Sequence, residues 1–240
     1  MTEPTVNEDQ NPLTKPKFII SAVVVAVIAA LAIILALIPR SGGTPAAGPA
    51  PAASTSTGQP NPASEASVCG LPSGDQAKPA AAPADTKWEL VGKIAAPTSP
   101  QQFGPGTTEA NGLRSCFAHS PTGALYAAAN VTALSSAGKA RLVFEDLAVP
   151  GPERDAVLKS SPSAAPDSVT AQVAGFAIRS YDADRAVVDL AFKGSNGALV
   201  SIPVPLQWYG GDWKFVVPAT GSTGAAQIPG LSGFIPWSGV

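Results

Sequence analysis

A chain of 240 residues with a formal net charge of −2 and only 13% charged residues lacks the basic footprint on which nucleic-acid binding rests. Its 23 glycines and 25 prolines require many turns and extended segments, and the length leaves room for one domain of ordinary size beside an anchor and a linker.

Residues 1–17 are short and polar, with three prolines and nothing to bury, and are expected to form a cytoplasmic tail. From Phe18 through Ile28 to Ile38 the chain carries no charge, no Pro and no Gly. At about 1.5 Å per residue a helix over this span reaches roughly 31 Å, the thickness of a bilayer's hydrocarbon core. The expectation is a single transmembrane helix with the lipid bilayer as its first partner. Lys15 and Lys17 precede it and only Arg40 follows before Lys78, so the amino terminus is placed inside and the main domain outside the cell membrane. A cleaved signal peptide is the competing reading, although its apolar core is usually only about 7–15 residues long. Ala22, Ala26 and Ala30 form a small-residue stripe that offers a route to a homo-oligomer.

Residues 39–86 are dominated by Ala, Pro, Gly, Ser and Thr and read as a disordered linker. Within it Cys69 sits in VCGLPSGDQ, a small apolar knot. Cys69 and Cys116 are the only cysteines. Both fall on the outer side, where thiols oxidise, so a single disulfide is expected, with two free thiols as the alternative.

The folded domain is assigned to residues 87–218. Alternation in KWELVGKIA predicts one strand over Lys87–Ala95, followed by a long Pro/Gly loop. Ser120 as N-cap and Pro121 at the first helical position open a helix that runs to about Leu134. Two short helices are expected over Lys139–Val149 and Pro152–Ser160. The period then becomes two, giving strands over Val173–Tyr181, Arg185–Lys193, Ala198–Trp208 and Asp212–Val217. In the third, Val200, Ile202, Val204, Leu206 and Trp208 share one face. Pro203 and Pro205 remove amide donors along one edge, so pairing there must be interrupted or moved to the strand's ends. Residues 219–240 return to Gly, Ser and Pro but end on Phe234, Ile235 and Trp237. These are too apolar to stand free, and they dock either on the domain or on a partner.

No nucleophile elbow, zinc-protease pair, phosphate loop or dinucleotide fingerprint occurs. His119 is the only histidine and has no second histidine or free thiol to partner it, so a structural role is expected. No metal, cofactor or catalytic residue is assigned. Asp182 and Asp184 read as turn residues, Asp189 as part of a solvated face shared with Lys193, and Asn130-Val131-Thr132 as a glycosylation pattern inside a helix.

The pieces CGLPSGDQ, WELVG, CFAHSPTGALYAAAN, GGDWK and IPWSG resemble an uncharacterised family of membrane-anchored proteins from high-GC Gram-positive bacteria. The order of strand, alanine-rich helix, short helices and meander is similar to nuclear-transport-factor-2-like domains, as in the scaffold proteins of conjugative type IV secretion machines. That resemblance implies an α+β fold, a cone-like domain of helices packed on a curved antiparallel sheet. For function it implies a non-enzymatic, membrane-tethered scaffold or interaction protein of the envelope serving conjugative transfer, with other envelope or transfer-machine proteins as partners. The alternative is a module that binds a small apolar ligand or cell-wall fragment.

Overall fold

The computed structural model describes residues 66–160 and 170–239. The span containing Phe18, Ile28 and Ile38, its flanking Lys15 and Lys17, and the linker as far as residue 65 lie outside them. Among the described residues no helix is long and apolar enough to cross a membrane.

The fold is α+β. Its centre is helix α1, Pro121–Leu134, which begins where the sequence places it. Ser120 is extended and its hydroxyl accepts from the Gly123 amide at 3.0 Å, while Pro121 fills a position that needs no amide donor. Twelve residues of α1 are buried. A helix apolar on all sides must be covered on all sides, and alanines let its neighbours come close. Gly123 shows the limit, because a Cβ there would overlap the Ala118 carbonyl.

One cover is a hairpin, β1 (Lys87–Val91) with β2 (Ile94–Thr98), the latter buried throughout. The single strand expected over Lys87–Ala95 is thus corrected to two strands. Gly92 at φ 62° lets the chain reverse in a two-residue turn with Gly first. A small pair follows, β3 (Thr107–Thr108) with β4 (Arg114–Ser115).

The other cover is the main antiparallel sheet. It contains β5 (Ala171–Tyr181), β6 (Arg185–Gly194), β7 (Leu199–Tyr209), β8 (Asp212–Phe215), β9 (Ala226–Ile228) and β10 (Ile235–Pro236). The order is β10-β5-β6-β7-β8, with β9 also on β7. Two register shifts interrupt β5, and such bulges bend a strand. Phe176, Val188, Leu190, Val204, Leu206 and Trp213 are buried in the core cluster that contains most of α1. Each contributes about 1.5–3 kcal/mol by burial.

The prolines of β7 act as expected. Pro203 and Pro205 pair with β6, while on the opposite edge β9 covers 199–201 and β8 covers 206–209, leaving the prolines in the gap. Helix α2 is Ala140–Asp146, shorter than expected, because a kink at Ser135–Lys139, where Gly138 takes φ 77°, separates it from α1. Helix α3 is Pro152–Lys159.

Both chain ends correct the expected boundaries. The packed body begins upstream of Lys87, for Ser67 and Leu71 are buried and the Val68 amide donates to the Gly211 carbonyl at 2.8 Å. Downstream, the tail adds β9 to one sheet edge and β10 to the other. Trp237, a candidate for partner binding, is 5% exposed inside the core and packs on Trp88, Tyr126 and Phe176. Ile235 is half-buried against that core. Phe234 lies 4.9 Å beneath the Arg179 guanidinium. The tail's apolar end is therefore occupied within the chain.

Candidate functional site

The side chains with the most chemical potential are held in structural roles. The His119 ring is stacked 3.9 Å from Trp208 at an interplanar angle of 2°, meets Trp213 edge-on, and donates from Nε2 to the Ala183 carbonyl. Asp189 is buried rather than solvated. Arg179 donates to its Oδ2 from Nε at 3.0 Å and Nη2 at 2.7 Å, and the Ser201 hydroxyl donates to Oδ1. Alternation assigned Asp189 to the face away from α1, but this residue is shielded there by the ion pair with Arg179, itself covered by Phe234. Asp182 caps its own turn by accepting from the Asp184 and Arg185 amides. Asn130 is fully buried and donates to the Pro97 and Tyr126 carbonyls, so the folded domain has no room for a glycan on it. Among the described residues no group of His, Cys, Asp and Glu could hold a metal.

Cys69 and Cys116 form the expected disulfide, with Cα atoms 6.0 Å apart. Cys116 has φ 65°, a conformation that costs a non-glycine residue energy. Asp212 compensates: its carboxylate accepts from the amides of Cys116 and Phe117 at 2.8 Å each and from that of Trp213 at 2.9 Å. Burial pushes this carboxyl above its ordinary range, and the three amides and Lys214 pull it partway back. From Cys69 onward, residues 70–86 form a strap along the free side of β5. Gln76 accepts from the Tyr181 hydroxyl at 2.7 Å and donates to the His119 carbonyl at 2.8 Å. Lys78 reaches the Ile178 carbonyl at 3.5 Å. Thr86 then joins strap, helix and tail, bonding the Tyr126 hydroxyl at 2.8 Å and accepting from Trp237 Nε1 at 3.4 Å.

Among the described residues an apolar groove of about 390 Å³ stays open. The groove lies where the kink at Ser135–Lys139 ends α1, between that end and the helix-side residues of β6 and β7. Ile94, Ala171, Phe192, Val200 and Ile202 supply the apolar wall, Thr132 and Ser136 the helix side, and Asn196 the lip. No lining side chain is charged. An opening of about 430 Å³ beside Trp88 is bordered by strap and tail residues and marks the seam where these segments meet, and one of about 510 Å³ beside Lys193 lies between the β5–β6 pair and Ser238 of the tail. The sequence places Val200 and Ile202 on the same face as buried Val204 and Leu206. The signal it lacked was where α1 stops above them.

No curated protein and no solved structure matches the chain. A family model covers most of it, and the chain belongs to the family described as a domain of unknown function, DUF8175, through residues 49–236.

Proposed function

We propose that the chain is a non-enzymatic, membrane-tethered binding module of the cell envelope whose working surface is the groove between the end of α1 and the sheet. The observation that carries this is the contrast just described. His119, Asp189 and Asp212 are committed to packing and hydrogen bonds, while an uncharged apolar recess of about 390 Å³ stays accessible. That volume lies in the range of small-molecule sites, roughly 300–1,000 Å³. The apolar span at residues 18–38 supports tethering, and the helix-on-sheet arrangement supports likeness to nuclear-transport-factor-2-like domains, an analogy that says nothing by itself about activity.

The test is a photo-reactive amino acid installed at Asn196 in the full chain in intact cells. The expected result is one discrete adduct, lost when Ala198→Trp fills the groove. Adducts no stronger than those from a photo-reactive residue at exposed Ser222 would sink the proposal.

A second reading, a scaffold in conjugative transfer, draws on a different surface. Leu90 of β1 is 73% exposed beside half-buried Trp88, on a strand paired with β2 alone. Unpaired strand edges invite partner strands. Loss of transfer on Leu90→Asp, with the groove intact, would favour this scaffold; unchanged transfer on deleting the whole protein would remove it.

A further inference from the structure

The chemistry of the groove narrows what can fill it. The turn that closes its lip has its polar groups paired: Gly194 N–H donates to the Ala198 carbonyl, Ser195 N–H to the Thr170 carbonyl and Gly197 N–H to the Gly194 carbonyl, each at 2.8 Å. Asn196 Oδ1 accepts from the Ala198 amide at 3.1 Å. On the helix side the Thr132 hydroxyl donates to the Ala128 carbonyl at 2.9 Å. A peptide laid here would bury amides and carbonyls against Phe192, Val200 and Ile202 without partners, which is costly. No residue lining the groove offers a charge to pair a carboxylate or ammonium. A hydrocarbon chain gives up no hydrogen bond on transfer and gains dispersion contact with the apolar wall.

We propose that the groove binds an uncharged hydrocarbon chain, with a neutral polar end directed to the rim between the Ser136 hydroxyl and the Asn196 amide. At roughly 30 Å³ for each water-sized group, it takes about a dozen non-hydrogen atoms. Phe192 and Ile94, 4% and 6% exposed, form the deepest wall. The proposal rests on the groove being the working surface and adds the chemical class of its occupant.

The experiment uses the full chain in lipid nanodiscs and two diazirine-bearing alkyl probes of equal length, one ending in a hydroxyl and one in a carboxylate. After illumination, mass spectrometry of peptides locates the label. The expected result is that the alcohol labels residues 192–202 and the neighbourhood of Ile94, and that Ala198→Trp or Thr132→Trp lowers this label about tenfold. These variants enter from opposite walls, and an unchanged far-ultraviolet circular dichroism spectrum and an intact disulfide show that each has folded. Equal labelling by the carboxylate probe overturns the proposal, as does label that the filling variants do not move. If the alcohol misses the groove while the adduct at Asn196 in cells persists and is lost in Ala198→Trp, the binding module stands and hydrocarbon is not its ligand. If both signals are absent, both fall.

Discussion

Asp212 satisfies the amides on either side of a backbone distortion at Cys116, and its removal takes the carboxylate from those two buried donors and from the Trp213 amide. Asp212→Ala is expected to lower stability by about 2–5 kcal/mol, since each unpartnered buried donor costs about 1–3 kcal/mol. Urea unfolding followed by tryptophan fluorescence measures it, because all four tryptophans lie between residues 88 and 237. A loss below about 0.5 kcal/mol, the size of an ordinary surface substitution, would show that the distortion does not need this carboxylate. Tyr181 gives a pH prediction. Burial, and secondarily the negative charge of Asp182, push its phenol from 10.0 up to about 12. The folded state therefore holds this proton more tightly than the unfolded state. Its stabilising contribution is whole below pH 10 and is lost as pH rises toward 12. Urea midpoints are expected to fall across that window and to fall less in Tyr181→Phe; identical slopes would remove Tyr181 as the cause. At this scale the sequence was legible where chemistry is local. Ser120 and Pro121 mark a helix start by themselves, and Asp182 caps its turn with its own neighbours. Asp189 was not legible, since its burial depends on Arg179 and on Phe234 far along the chain.

Among elements, the strap and the tail hold the body from two directions. The disulfide closes a loop 47 residues in sequence separation, worth about 4 kcal/mol on the chain-entropy model. Replacing both cysteines by Ala is expected to cost about 2–4 kcal/mol and to open residues 70–86 to protease. An unchanged digestion pattern would show that Gln76 and Thr86 secure the strap alone. Trp237→Ala empties a site shared by Trp88, Tyr126 and Phe176, and is expected to cost about 3–5 kcal/mol. It also frees the tail, which limited proteolysis between residues 219 and 233 would report. The four long strands were readable from their period of two. The β1–β2 turn was missed: a Gly in first position suits a two-residue hairpin turn, but the surrounding alternation continues across Gly92-Lys93 and conceals the reversal. The strap was hidden by its composition: a Pro/Ala-rich segment with one leucine carries no core of its own and becomes ordered through a covalent bond and borrowed partners.

For the whole molecule, the main sheet has its outer strands guarded by pieces from distant parts of the sequence. β10 and the strap lie along β5, and β8, β9 and the extended residues after α2 complete the other side. Deleting residues 226–239 is expected to expose both margins and to raise self-association above that of the full chain, as unprotected edge strands do; light scattering of full and shortened chains decides it. The groove belongs to this scale. No short window of sequence contains it, because Ile94, Thr132, Phe192 and Val200 meet only when a helix, a hairpin and a sheet have been assembled.

The clasp between Cys69 and Cys116 also determines how the molecule carries a mechanical load. Tension transmitted from upstream residues arrives at Cys69 and crosses the sulfur bridge directly to Cys116, which Asp212 fastens to β8. The intervening strap and the β1–β2 hairpin are bypassed, so a tug that would peel them away in the reduced molecule is borne by the centre of the oxidised one.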